Sequence, residues 1–480
     1  DGIIDLAESA KTGSAAADAL GLNDIIFDIN LTPNRGDCAS IYGVARDLAA
    51  TGIGTLKPLK VPSVASKFKN SVSVTLQDAA CPLFIGRYIK GVKNGASPQW
   101  LQDRLKSVGQ KPISVLVDIT NYMTLAFGRP LHVFDADKLK GNIHVRGAKS
   151  GEKLAALNEE TYALDAGMTC VCDDSGVLGL GGIIGGVPSS VTDKTVNVYL
   201  ECAYFEPATI ARAGQELQID SDARYRFERG IDPAFAQSGA EIATQMILDL
   251  CGGEASEIFT AGKAPDITRT ITYAPAKLKQ LGGSDLAEAR QNEILSALGF
   301  RVSAQDKVWE IQTPSWRPDV EGAADIVEEV LRIDGYDNIP AVPVMRAPGQ
   351  TRPANDTLRQ RTNRARHVLA TRGLFETVTW SFMEEAKADL FGINLHQNKR
   401  ALTLVNPISA DLAVMRPSIL PNLIDAAARN TDRGLPDAAL FEIGGTYTSP
   451  EHDGQVTLAA GLRSGNAQMR HWAGAARKAD

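Results

Sequence analysis

TPSWRPDVEGAADIVEEVLRIDGYDNIP, residues 313–340, contains one continuous helical stretch that is unusually acidic. Asp325, Glu328 and Glu329 fall at i, i+3 and i+4, a spacing that puts three carboxylates on one helix face. Asp319 lies just upstream of the helix start. Clustered carboxylates repel one another and gain by binding a hard divalent cation, and an all-oxygen set suits magnesium with several retained waters. The other reading is a solvated acidic face that complements the helix dipole, and spacing alone favours that one.

Working outward, the break at GKAPDITRT and the prolines of DNIPAVPVMRAPG enclose a compact domain at 268–344. Before it, residues 71–257 mix short alternating strands, from SVSVTL onward, with helices such as one opening at Ser97-Pro98 and closing at Gly109. Four stretches of this mixed unit could carry chemistry. In TNYMTLAFGRPLHVFD, Thr120 and a lone His132 bracket apolar and aromatic residues; such a histidine is either structural or a ligand contact. VLGLGGIIGGVPSS is rich in glycine but lacks the lysine and hydroxyl residue of a phosphate-binding loop, so it reads as tight turns or as a close approach to a ligand. In NVYLECAYFEP, Glu201 interrupts an apolar strand, which is costly unless the carboxylate meets a partner or a ligand hydroxyl. SDARYRFERGIDP sets Arg224, Arg226 and Arg229 among aromatics, suited to phosphates and bases or to an ion-paired helix face.

Residues 1–65 read as a short strand at TPNRGDC, a helix over SIYGVARDLAATG between a capping Asp37 and a terminating Gly52, and a linker from GIGTLKPLK onward. A last unit, 350–480, starts with the basic amphipathic LRQRTNRARHVLATRG and ends without a closing element, so the chain looks cut at both ends.

A chain of 480 residues, 44% hydrophobic and 22% charged, is ordinary globular material for several domains at roughly 150 residues each. The net charge of -7 excludes a whole-chain field that attracts nucleic acid, so any RNA contact is a local patch. With six scattered cysteines, no secretion signal and no long apolar run, the expectation is a soluble cytoplasmic protein with reduced thiols and no membrane contact. The sequence has neither a G-x-S-x-G elbow nor H-E-x-x-H.

Taken in order, LTPNRGDCASIYGVARDLAA, TNYMTLAFGRPLHVFDADKL, GGIIGG, LECAYFEP, RYRFERGIDP, TPSWRPDVEGAADIVEEVLRIDGYDNIP, NPISADLAVMRPSILPNLI and LFEIGG resemble the β subunit of bacterial phenylalanyl-tRNA synthetases along essentially the whole chain. The resemblance implies an α+β multidomain fold: an editing module of mixed strands and helices, a small winged-helix-like B5 domain, and an antiparallel sheet domain that copies the class II synthetase fold without its active site. It implies an editing pocket at Thr120, His132, Gly185, Glu201, Ser221 and Ala223, where the family more often has threonine in place of Ser221. Asp319, Asp325, Glu328 and Glu329 match the family's magnesium positions, shared with the α subunit, which reverses the preference that spacing alone gives. The implied partners are tRNA(Phe) and the α subunit in an (αβ)2 heterotetramer, with ATP used by α and no aminoacylation residue in this chain. The family's amino-terminal tRNA-binding fold would precede Asp1, and its anticodon-binding domain would follow Asp480. The implied activity is hydrolysis of mischarged Tyr-tRNA(Phe); the alternative is a structural, tRNA-binding subunit without active editing.

Overall fold

The computed structural model describes residues 4–479, except 5, 7–9, 306, 346–348, 350–354, 393–401, 469 and 470. It divides into two units, Asp1–Val342 and Pro343–Asp480. None of the described helices is long and apolar enough to cross a membrane.

Two sheets build the centre of the first unit. One has the order β1 (Val74–Leu76), β4 (Ile143–Gly147), β5 (Thr169–Asp173), β6 (Gly176–Leu180), β7 (Ile184–Gly185). The other has the order β9 (Glu254–Gly262), β2 (Leu83–Lys90), β8 (Asn197–Tyr204), β3 (His132–Asp135), with every neighbouring pair antiparallel. The run NVYLECAY is buried almost throughout because β8 is an inner strand covered on both faces. Its alternation sorts the two faces. Val198 and Leu200 join Leu116, Ile119 and Met123 of helix α3 (Val115–Phe127) and Ile247 of α6 (Ala236–Cys251). Tyr199 and Ala203 join Phe84, Val145, Val171, Leu178 and Phe205. Glu201 lies between those two in sequence and therefore faces the second core, where α4 (Pro207–Leu217) and α5 (Asp222–Phe227) also pack.

The helix expected to open at Ser97-Pro98 is α2 (Gln99–Ser107), one residue later, and Pro98 provides no side-chain cap. Near the start of the chain, α1 (Ile41–Ala50) is capped by Ser40, whose Oγ accepts the Gly43 N–H at 3.0 Å. Asp37, the expected cap, instead accepts from Arg35 Nε at 2.9 Å. The strand expected just before this helix is not in a sheet: the first described strand is β1.

Residues 270–334 form a three-stranded sheet, β10 (Thr270–Tyr273), β12 (Val308–Gln312), β11 (Arg301–Gln305), covered by α7 (Glu288–Ala297) and α8 (Ala323–Asp334). On α8, Ile326, Val327, Val330 and Leu331 repeat at helical spacing and bury against Tyr273, Trp309 and Ile311.

In the second unit, β14 (Ala438–Tyr447) and β15 (Gln455–Ser464) make a long antiparallel hairpin, and α10 (Leu420–Asp432) packs on it. The short β13 (Phe375–Glu376) adds to β14 in parallel, so this sheet is mixed where an antiparallel one was expected. Helix α9 (Thr357–Thr371), the basic segment, buries none of its residues.

Candidate functional site

A cavity of about 90 Å³ opens against the inner face of β8 and β3. Its floor and walls are apolar: Leu131, Phe134, Val171, Leu180, Ile184 and Phe227 among them, with the glycines of GGIIGG along one side. Glycine is required there. A Cβ added to Gly185 would overlap the His132 ring, and one added to Gly182 would press on Phe205 and Phe227 at 3.1 Å.

Two ionisable side chains line this cavity, His132 and Glu201. They face each other across the antiparallel β3 and β8 ladder, where His132 is the direct partner of Glu201. Glu201 is 7% exposed, and burial pushes its carboxyl up to about 8, against a lesser opposing pull from Arg129. Burial likewise pushes the His132 imidazole down to about 4. Burial thus favours the uncharged form of both groups. The His132 ring packs edge-on to Phe134 with centroids 4.4 Å apart, and its Nε2 is buried without a partner among the described residues. An unpaired polar nitrogen at a cavity wall is a group waiting for a ligand or a water.

Of the six expected pocket residues, His132, Gly185, Glu201 and Ala223 line this cavity. Ser221 stands behind it: its Oγ donates to the Ile183 carbonyl at 2.7 Å and accepts the Arg224 N–H, so it caps α5 and ties that helix to the glycine-rich turn. Thr120 is not among the lining residues. It is buried in α3, where its Oγ1 donates to the Val117 carbonyl at 2.7 Å. Sequence reasoning missed Arg129, which is 1% exposed and donates to the Ala203 carbonyl at 2.6 Å, beside the ladder that carries Glu201. No serine, threonine, cysteine or lysine is among the lining residues, and all six cysteines are free, buried and pushed up by that burial.

The arginines of 221–233 are paired rather than free. Arg224 meets Glu228 at 2.9 Å, Arg226 meets Asp222 at 2.9 Å, and Arg229 meets Glu228 at 2.8 Å while stacking 3.7 Å over Tyr225.

The four carboxylates expected to take magnesium are divided by the fold. Asp325 accepts the Glu321 and Gly322 N–H groups, both at 2.8 Å, at the start of α8. Asp319 takes the Arg317 guanidinium through both oxygens, at 2.8 and 2.7 Å. Glu329, 1% exposed, is held by Arg317 and by Arg332. Burial alone would raise the Glu329 carboxyl, but hydrogen bonds from Arg332 and Arg317 hold it at about 2. Glu328 is partly exposed on the same helix. Among the described residues no three His, Cys, Asp or Glu side chains are placed to hold a metal. Asp319 and Glu329 do not fit a divalent ion as they stand, because their charge is already met by Arg317 and Arg332.

Three family descriptions match in chain order: the B3/4 domain over residues 80–252, the tRNA synthetase B5 domain over 271–336, and the phenylalanyl-tRNA synthetase beta chain CLM domain over 340–480. That succession defines a multidomain aminoacyl-tRNA synthetase subunit. The chain is 50% identical over 485 residues to the phenylalanine-tRNA ligase beta subunit of Paramagnetospirillum magneticum, covering 100% of this chain and 60% of that protein. Its identity to the same subunit of Novosphingobium aromaticivorans is 49%, covering 98% and 59%. A solved N-terminal fragment of the phenylalanyl-tRNA synthetase beta subunit from Pyrococcus horikoshii overlaps 66% of this chain and 90% of its own at 19% identity, with a TM-score of only 0.35. The chain belongs to the phenylalanine-tRNA ligase beta-subunit family. It spans about 60% of the length of the curated relatives it matches.

Proposed function

We propose that this chain carries the proofreading centre of a phenylalanine-tRNA ligase, and that the cavity binds the side chain of tyrosine wrongly esterified to tRNA(Phe) so that the ester is hydrolysed. The single observation that carries this reading is Glu201, a buried carboxyl that meets no charged side chain within hydrogen-bond distance among the described residues and lines a cavity whose one other ionisable group is His132. At roughly 10–15 Å³ for one water, a cavity of about 90 Å³ suits a small ring far better than a nucleotide.

A synthetic site shaped for phenylalanine rejects tyrosine only weakly, since an apolar pocket excludes an added hydroxyl by on the order of a hundredfold. A second site that hydrogen-bonds the phenol reverses the preference: tyrosine satisfies Glu201, whereas phenylalanine leaves it buried and unpaired at about 1–3 kcal/mol. His132 Nε2 is suited to orient a water or a ribose hydroxyl. The aminoacyl ester is already reactive, so an oriented water suffices without a protein nucleophile.

On this reading the α subunit supplies adenylate formation with its ATP and magnesium, and α and β assemble as an (αβ)2 heterotetramer in the cytoplasm on tRNA(Phe). Residues 271–336 are then a winged-helix-like domain, and the second unit is a synthetase-like domain without an active site.

The test is deacylation of Tyr-tRNA(Phe) and Phe-tRNA(Phe) by the Glu201→Ala enzyme reconstituted with α. Tyr-tRNA hydrolysis is expected to fall by roughly an order of magnitude or more relative to Phe-tRNA. Unchanged discrimination would sink the reading in favour of a structural, tRNA-binding role.

A further inference from the structure

The cavity wall and the acidic helix touch the same short segment, residues 35–47. Toward α8 the contact is a chain of alternating charge. Arg35 pairs with Asp37 at 2.9 Å and Asp47 at 3.0 Å. Asp47 takes Arg332 through both oxygens, at 2.7 and 2.8 Å. Arg332 holds Glu329, Glu329 holds Arg317, and Arg317 closes on Asp319 at 2.7 Å. Arg46 adds a stacking contact, 4.3 Å above the Trp316 ring. Toward the cavity, Arg226 of α5 donates to the Ala39 carbonyl at 3.0 Å. Gly36 lies so close to the end of that helix that an added Cβ would stand 2.9 Å from Arg229 Cβ. Ala223 and Phe227 of the same helix line the cavity.

We propose that residues 35–47 form a strut that positions α5, and with it the Ala223 and Phe227 wall of the cavity, from an arginine-carboxylate chain anchored on Asp319 and Glu329. Asp47 and Arg332 are its positioning residues. Arg35, Arg317 and Glu329 are all buried, so removing one member strands the charge of its neighbour away from water and the chain holds or fails as a unit. Two of the carboxylates expected to bind a cation thus have a mechanical task, with guanidinium groups as their counter-ions. The inference concerns the placement of α5 and stands whether or not the cavity is an editing site.

The strut is tested by hydrogen exchange with mass spectrometry on the full chain carrying Arg332→Gln, Asp47→Asn or both, read on peptides covering residues 222–230 and, as a remote control, 153–163. Amides at 222–230 are expected to exchange about tenfold faster in each single variant, with the control unchanged and the double variant no worse than the worse single one. Unchanged exchange at 222–230, or an equal acceleration of both peptides, overturns the proposal. Should Arg332→Gln fail to fold, Arg332→Lys keeps the charge but loses the two-pronged geometry and is read on the same peptides with the same expectation. Exchange at 317–334 is expected to be the same in EDTA and in magnesium chloride. Protection there that requires magnesium and is lost in Glu329→Gln would overturn the anchoring role.

Discussion

Replacing Glu201 with glutamine keeps the shape of the side chain and removes its titration, and the difference between the two proteins should depend steeply on pH. Burial raises the carboxyl from its ordinary 4.5 to about 8. At about 1.4 kcal/mol per decade, ionising Glu201 in the folded state costs on the order of 5 kcal/mol more than in the unfolded chain. Because the folded value is the higher one, the stability it contributes is fully present below about 4.5 and is lost as pH rises toward 8. Across that window the folded protein keeps a proton that the unfolded chain has released. Wild type and Glu201→Gln should therefore be close in stability near pH 5, and the variant should be the more stable by several kcal/mol, at most about 5, near pH 8.5. The assay is urea denaturation from pH 5 to 9, followed by hydrogen exchange on peptides spanning β8, which isolates this sheet from the rest of the chain. A difference that stays flat over the whole range would mean that Glu201 ionises in the fold as readily as in the unfolded chain, and the burial-driven shift described here would be refuted.

His132→Ala should leave thermal unfolding at pH 7.5 nearly unchanged while Tyr-tRNA(Phe) hydrolysis falls about tenfold or more; a large drop in melting temperature with normal hydrolysis per folded molecule returns His132 to a packing role. Because the imidazole is lowered from 6.5 to about 4, the wild type should also lose stability as pH falls through that interval, and His132→Ala should abolish that part of the loss in acid denaturation curves. Gly185→Ala drives a methyl into the His132 ring, so it should cost about 1–3 kcal/mol and depress hydrolysis, whereas Gly147→Ala, with open space around it, should do neither; equal effects in urea melts would contradict the packing described.

Much of this site was legible because single strands carry their own pattern. A carboxylate within LECAYFEP already implied a buried acid, and alternation along the strand determines which core it faces. The glycine-rich run was equally visible, although not that its glycines yield to an imidazole and two phenylalanines. Val171, Leu180 and Phe227 were not legible as walls, because each comes from a separate element that only the tertiary fold brings together. Thr120 shows what spacing leaves open: a polar residue near a candidate site can be satisfied by its own helix, here through Val117. For the carboxylates, the spacing of Asp325, Glu328 and Glu329 placed them on one helix face, but spacing cannot say which partners a face meets. Arg332, three residues after Glu329, was available in the sequence as a competing cation; Arg317 reaches Glu329 only through the turn that precedes α8.

The pairing of His132 with Glu201 has a combinatorial consequence. Side chains on a strand point alternately to opposite faces, so the chemistry of this cavity depends on whether the offset between β3 and β8 is odd or even. Slide β3 by one residue and the imidazole turns toward the helices, while Leu131 or Val133 takes its place opposite the carboxyl. A shift of two restores the facing direction but moves the ring along the ladder by roughly 7 Å, beyond reach of the same ligand. Lengthening or shortening either strand by a single residue would thus erase the site without changing any of its side chains, whereas the turns on either side can vary freely as long as the count within the ladder is kept.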